Sequence, residues 1–222
     1  GEGKDGIAVT IHSGSRNIGH SIGGYYMGID SGEGLPKGFF RMGGMWANAY
    51  VQDMNYALEY ALANRRVMME EVLSAIGINA DHYFKNMINE NHNHAVVTAD
   101  GVLHRKGATP ADKGQFGIIP GNMRDGVFIT VGLGNEEFLS SASHGAGRKM
   151  SRSKASKSLD MGEFEKQMKG IVCSTDKNVL DEAPDAYKDV EMVIKAQEGI
   201  VVDVVNHFKP IINVKASEGR RR

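Results

Sequence analysis

Cysteine is nearly missing from this chain. Cys173 is the single one, so an intramolecular disulfide is excluded, and a reducing compartment, the cytoplasm, is the expected location. Excess charge is missing too. Lys and Arg number 26 against 27 Asp and Glu, for a net charge of -1, so no global field draws the chain to a polyanion. Any basic surface is local, around residues 148–157 or at the Arg220-Arg221-Arg222 tail. No apolar run reaches membrane-spanning length, so no membrane partner is expected. Gly1-Glu2-Gly3-Lys4-Asp5 has no signal-peptide pattern, and no initiator methionine stands at the start, as expected of a fragment of a longer protein. No H-x-x-x-H histidine pair, internal repeat or interdomain linker is found. One domain over residues 1–222 is therefore expected.

What is present suffices for a core. Hydrophobic residues make up 41% of 222, an ordinary globular share. The 28 glycines cluster at residues 14–44, 101–134 and 145–147, marking loops that let a backbone approach a ligand. Gly6–His12 reads as a strand ending on a histidine, followed by a turn over Ser13–His20. Residues 31–44 read as an irregular loop. From Met45 to Ile76, apolar residues at Val51, Met54, Leu58, Leu62, Met69, Leu73 and Ile76 predict a helix, with a lapse at Arg65 and Arg66 and a stop at Gly77. An Asp100-Gly101 turn predicts a hairpin. Gly117–Pro120 and Val127–Val131 read as strands around a Gly121–Gly126 loop. Asp160 and Glu163 resemble a capping box for a helix ending near Lys169. Ile171–Cys173 reads as a strand, with Cys173 a small buried hydrophobe. Asp185 is expected to cap a helix with Tyr187, Val190, Val193 and Ile194 on one face, running on through Ile200, Val201, Val204 and Val205 until Pro210 bars it. Ile211–Lys215 reads as a last strand, and Gly219–Arg222 as a frayed end.

The chemistry concentrates in Ser140–Arg152, where His144 is followed by Gly145, Ala146 and Gly147, then by Arg148 and Arg152. Consecutive amides in such a turn can form an anion nest. Arg148 and Arg152 would share a face on a helix, as suits a phosphate. His144 could be a base, a metal ligand or a nucleophile, or a structural histidine in a Gly-rich turn. His12, His92 and His144 each lie at a strand end or in a polar loop, which fits a site for zinc or manganese. His92 and His94 would share a strand face. His20, His82 and His207 read as surface or helix-packing residues. His104–Thr109 and Arg16 each read either as solvated loops or as phosphate contacts. All three basic loops lie close in sequence to a histidine, and that conjunction outweighs any single motif.

These residues bring a family into view. Ile11–Arg16, His92-Asn93, His104–Thr109, Ile119–Met123, His144–Arg148 with Ser151-Arg152, Asp181–Lys188 and Lys209–Lys215 resemble, in order, motifs of the RtcB RNA ligases, the GTP- and manganese-dependent enzymes of tRNA splicing and RNA repair. The resemblance implies an α+β (mixed α/β) fold with central mixed sheets flanked by helices. It implies that His144 attacks the α-phosphorus of GTP and carries GMP, and that His12 and His92 ligate one Mn2+. His92, Asn93, Pro120, Gly121, Asn122, Met123, the His144-Gly145-Ala146-Gly147 turn, Tyr187 and Lys215 would form the guanylate pocket. Tyr187 would stack on guanine and Lys215 would bond its edge. Arg16, Arg148 and Arg152 would hold RNA phosphates. The expected partners are GTP, RNA as tRNA halves or broken strands, and an archease-type activator.

The chain departs from that pattern in two places. The family's earlier half, with Asp and Cys metal ligands and a Gly-Asn-His-Phe motif, is not in this sequence, and Cys173 lies in the wrong place to replace the cysteine. After Met123, Arg124-Asp125-Gly126-Val127 stands where the family has a small polar run ending in serine. Two rival readings follow: an RNA- or nucleotide-binding module without ligation, and a metal-dependent phosphoesterase.

Overall fold

A computed structural model describes residues 6–80, 84 and 87–215. His82 and the Gly219–Arg222 tail lie outside the described residues. The fold is mixed α and β, and its strands are shared among several small sheets, most of them antiparallel. The chain divides into two compact units, Gly1–Lys106 and Gly107–Arg222. No helix among the described residues is long and apolar enough to cross a membrane.

The first unit is built on helices α1 (Asn17–Met27) and α2 (Met45–Ala75). The periodicity of α2 is as expected, and its end is a Schellman motif. Gly77 adopts φ 76°, its N–H bonds Ser74 O, and the N–H of Ile78 bonds Leu73 O at 2.9 Å. The buried face of α2 carries Ala47, Met54, Ala57, Ala61, Arg65 and Leu73. Ile76, expected on that face, is 53% exposed. Tyr26 of α1 is buried and donates its hydroxyl to Asp53 of α2 at 2.7 Å. That bond, then burial, pushes the Tyr26 phenol up to about 12. The unit closes with the antiparallel hairpin β1 (Asn93–Thr98) and β2 (Gly101–Lys106), whose two turn residues are Ala99 and Asp100.

Two expectations of secondary structure fail in this unit. Residues 6–15 form no strand. A strand needs a neighbouring strand for its backbone, and none of the described strands pairs with this segment; just beyond His12, α2 side chains bond the backbone, Asn64 donating to Gly14 O at 3.1 Å and Arg65 to Ser13 O at 2.9 Å. The expected turn at 13–20 gives way to α1 from Asn17 onward. Three internal glycines and an N-cap, Arg16, that makes no side-chain cap bond hid this helix.

Among the described residues the second unit holds three sheets. Strands β3 (Ala108–Pro110) and β6 (Ser141–Ser143) pair antiparallel, with Ala108 opposite Ser143. Strands β4 (Phe116–Pro120), β5 (Val127–Gly132) and β8 (Val202–Phe208) form an antiparallel sheet in the order β4-β5-β8. Its core gathers Ile119, Phe128, Ala142, Ala146, Val190 and Val202. A second cluster joins Met123, Phe164, Met168, Val179, Leu180 and Ala183, with half-buried Cys173 packed against it. Helix α3 (Arg152–Ser158) is polar and buries only Ala155. Helix α4 (Met161–Gln167) starts at Asp160, whose carboxylate accepts the Glu163 N–H at 2.8 Å as the capping box predicts. Strand β7 (Val172–Cys173) pairs parallel with β9 (Ile212–Asn213), so the last strand is shorter than expected.

The long helix expected after Asp185 is overturned. Pro184–Ala186 is a single 3-10 turn, and α5 (Val190–Lys195) is capped by Asp189. Asp185 instead accepts a bond from Gln167 at 2.8 Å. Gly199, at φ 73°, reverses the chain, and the β-branched run from Val201 enters β8, where period-two burial suits it better than a helix.

Candidate active site

In the first unit, the polar segments before α1 and before β1 bring His12 and His92 together. Their Nε2 atoms lie 3.2 Å apart, with the rings edge to face. Metal–imidazole bonds of about 2.0–2.1 Å place adjacent ligand nitrogens roughly 3–3.4 Å apart, so this pair fits two positions of one metal ion. No group of three or more His, Cys, Asp or Glu able to hold a metal occurs among the described residues. His94 does not share a face with His92, because β1 begins at Asn93. His94 lies opposite Arg105, and burial, then that guanidinium, lowers its pKa. Arg105 is itself buried, whereas His104 and Lys106 on either side of it are exposed. Asn93 is exposed at the start of β1. Arg16 is exposed and adopts φ 56°, ψ -135°, a strained conformation for a non-glycine residue. His20 is exposed on α1.

In the second unit, His144 is docked on Gly107. Its Nδ1 lies 2.6 Å from the Gly107 carbonyl oxygen, which also accepts the His144 N–H at 3.2 Å. A carbonyl only accepts, so Nδ1 carries the proton and the lone pair of the neutral ring stands on Nε2. Gly107 has φ 70°, and a β-carbon there would lie 3.1 Å from His144 Cε1. The turn behind the histidine is equally close: the Ala146 N–H bonds Pro120 O at 3.0 Å, and a β-carbon at Gly145 would lie 2.9 Å from that oxygen.

The Pro120–Gly126 loop is held partly by its own bonds and partly by its neighbours. Asn122 Oδ1 accepts the N–H groups of Arg124 and Asp125 at 2.9 and 3.0 Å, and its Nδ2 donates to Asp125 at 2.6 Å. Gly121 N–H bonds Gly126 O at 2.8 Å. Arg124 pairs with Asp125 at 2.8 Å. Met123 is a core residue at 2% exposure, and its carbonyl accepts from Asn213. His207 is a packing residue, stacked on Phe128 with its Nε2 against Asp125 O. Asn122 and Tyr187 line one polar cavity of about 280 Å³ with Arg124, Lys149, Lys188 and His207.

Glu182, in the 3-10 turn Lys177–Glu182, organises the remaining residues. Its carboxylate accepts the Tyr187 hydroxyl and pairs with Arg152 at 3.1 Å, Arg148 at 3.5 Å and Lys215 at 3.6 Å. Burial disfavours the charge of Glu182, but the Tyr187 hydroxyl and then Lys215, Arg152 and Arg148 outweigh it, holding the acid below its ordinary value. Burial, then Glu182, pushes the Tyr187 phenol well up. Arg148 is not on a helix with Arg152; it bridges to Tyr187, lies over that ring, and donates to Met150 O, Asp181 O and the Tyr187 hydroxyl. Its side chain is 23% exposed against 63% for Arg152, so Arg152 is the more accessible cation.

Sequence reasoning gave no role to Arg65, Gly107 or Glu182. The lapse in the α2 stripe was the signal for Arg65. The other two lay inside quoted motifs without a spacing that marked them.

A family model described as tRNA-splicing ligase RtcB matches residues 1–216. RNA-splicing ligase RtcB1 of Escherichia coli is 36% identical over 232 residues, which cover 96% of this chain and 57% of the relative. RNA-splicing ligase RtcB of Escherichia coli K12 is 35% identical, with the same shares of 96% and 57%. The tRNA-splicing ligase RtcB of Nanoarchaeum equitans is 30% identical over 96% of this chain and 53% of its own length. The chain thus spans a little over half the length of these curated relatives. A family match reaching almost end to end agrees with the ordered motifs on which these sites are built, and the chain belongs to the tRNA-splicing ligase RtcB family.

Proposed function

We propose that this chain is the nucleophile-bearing part of a cytoplasmic, RtcB-like RNA ligase that uses GTP and manganese to join RNA 2′,3′-cyclic phosphate or 3′-phosphate ends to 5′-hydroxyl ends in tRNA splicing or RNA repair. The observation that carries this reading is the bond from His144 Nδ1 to the Gly107 carbonyl. It holds the imidazole as the tautomer whose Nε2 can attack phosphorus, while the proton stays on Nδ1.

In this reading, Nε2 bonds to the α-phosphorus of GTP and the bond to the β-phosphate oxygen breaks, releasing pyrophosphate. The charge gained by the ring is shared with the Gly107 carbonyl through Nδ1–H. A 2′,3′-cyclic end is first opened by water to a 3′-phosphate and a 2′-hydroxyl; the guanylate then passes to the RNA 3′-phosphate, freeing His144, and the 5′-hydroxyl oxygen, its proton lost to solvent, displaces GMP to form the new diester. His12 and His92 would hold manganese, which when bound polarises phosphate oxygens and offsets their charge. Tyr187 and Lys215 would face the guanine, and Asn93, Asn122 and the His144–Gly147 turn the rest of the nucleotide. Arg152 and Arg16 would meet RNA phosphates, and Arg148 would fix Tyr187 and Glu182 beside them. An archease-type activator is the partner such a ligase would use.

The test is incubation with α-labelled GTP and Mn2+, then a denaturing gel. The expected result is a covalent band stable to alkali and labile to acid, as for a histidine phosphoramidate, and absent from His144→Ala protein that keeps its circular dichroism. A labelled His144→Ala protein refutes the assignment. Joined RNA supports the ligase; released phosphate alone supports a phosphoesterase, and neither product supports a binding module.

A further inference from the structure

The lapse in the apolar stripe of α2 is where the chain spends a charge inside its fold. Arg65 lies on the buried face of α2 and is only 8% exposed. Its guanidinium makes three hydrogen bonds in three directions: Nη1 to Ser13 O at 2.9 Å, Nη2 to Asn91 Oδ1 at 3.0 Å and Nε to Asn89 Oδ1 at 2.6 Å. Ser13 follows His12 in the chain, and Asn91 precedes His92. The two asparagines are anchored in turn on α2, Asn89 through Leu62 O at 3.1 Å and Asn91 through Leu58 O at 3.5 Å. Asn64, the neighbour of Arg65, adds a bond to Ser13 Oγ at 2.9 Å.

All three acceptors of Arg65 are neutral oxygens, so among the described residues no ion pair offsets the cost of burying the cation, and burial lowers its pKa. Elsewhere on this buried face plain packing is met by small apolar residues, the alanines at 57 and 61. What a planar fork of donors supplies beyond packing is fixed geometry between separate backbone segments. The segments it joins are those that carry the two histidines.

The geometry points to Arg65 as a positioning residue that sets the His12–His92 pair and, through it, the affinity of that pair for a divalent cation. The cation half of this statement rests on reading the pair as a metal site; the positioning half does not. Outer partners that orient metal-bound histidines typically change metal affinity by about 10–100-fold when removed.

The experiment compares the parent, Arg65→Lys, which keeps the charge but not the fork, and Leu73→Val, a stability control on the same buried helix face. Two readouts are taken well below the unfolding temperature: Mn2+ affinity by electron paramagnetic resonance, and imidazole 15N resonances assigned with His12→Ala and His92→Ala. The expected result is a 10–100-fold weaker Mn2+ affinity in Arg65→Lys, with the His12 and His92 resonances shifted and those of His94 and His144 in place. Leu73→Val should leave both readouts at the parent values. An Arg65→Lys protein within twofold of the parent in affinity, or indistinguishable from Leu73→Val, overturns the assignment. If the parent binds no Mn2+, the metal reading fails and the resonances alone decide: unmoved His12 and His92 signals overturn the positioning role, and selectively moved ones sustain it. If Arg65→Lys does not fold, Asn91→Ala, which removes a single acceptor, carries the same comparison.

Discussion

The two units hold their histidines by opposite means. In the first, His12 and His92 sit on irregular segments tied to α2 by side chains, through Arg65, Asn64, Asn89 and Asn91. In the second, His144 is held by backbone, the Gly107 carbonyl in front and the Pro120 carbonyl behind its turn. A side-chain scaffold tolerates a changed backbone and fails when one donor is lost. A backbone scaffold has no donor to lose, but it depends on glycines that admit no β-carbon. The second unit also gathers three cations, Arg148, Arg152 and Lys215, on one carboxylate, Glu182, whereas Arg65, which joins the histidine-bearing segments, donates to three neutral oxygens.

Substitution can break this contrast at its strongest point first. Glu182→Gln leaves Arg148, Arg152 and Lys215 without their shared countercharge, at an expected cost of about 2–3 kcal/mol in urea unfolding at pH 7. The sign of its pH dependence follows from the folded acid lying below its ordinary value of 4.5. The stabilisation is fully present above that value and is lost as pH falls through the lower, folded one, because protons bind the unfolded state first. The parent and Glu182→Gln should therefore converge in stability in acid. A constant gap between them from neutral to acid pH would show that charge is not what Glu182 contributes.

The next test sets two glycines against each other. Gly107→Ala combines positive φ with a β-carbon against the His144 ring, for an expected loss of about 1–2 kcal/mol and a guanylylation rate at least tenfold lower. Gly14, beside the histidine-bearing segment of the first unit, meets nothing within 4 Å of an added β-carbon. Gly14→Ala should stay within about 0.5 kcal/mol of the parent. Equal effects in thermal unfolding would erase the distinction between the scaffolds.

The smallest expected effect runs the other way. Arg16→Gly relieves a strained backbone and should raise stability by up to about 1 kcal/mol, because glycine adopts positive φ freely. If Arg16 meets RNA, the same variant binds RNA more weakly, with a salt slope shallower by about one phosphate contact. Lower stability together with unchanged RNA binding would mean that the strain serves neither purpose.

Local signals were legible where the physics is local. The 3.6-residue stripe and glycine stop of α2, the β1–β2 hairpin (its turn one residue earlier than the expected Asp100-Gly101) and the Asp160 cap each depend on residues within one or two turns of chain. Helix α1 was hidden by its glycines, and α3 by having no apolar stripe, since it buries a single alanine. Val201–Val205 fitted a helical stripe as well as a strand, and the neighbour that decided between them, β5, lies about seventy residues earlier in the chain. The candidate site divides in the same way. His12, His92 and His144 stood out by residue type and by family resemblance. Their holders stood out less: a carbonyl at Gly107 leaves no local pattern, and Arg65 left only the lapse in the α2 stripe.

The sequence by itself determined the family, the order of its motifs, the helix α2, the β1–β2 hairpin and the residue types available for chemistry, since each of these is written in composition or short-range spacing. Only the tertiary structure decided that His12 meets His92, that the proton of His144 lies on Nδ1, and that Glu182 gathers three cations around Tyr187. Each of these includes a contact between residues 34 to 80 positions apart, and such a contact exists only once burial has brought distant segments within hydrogen-bonding reach.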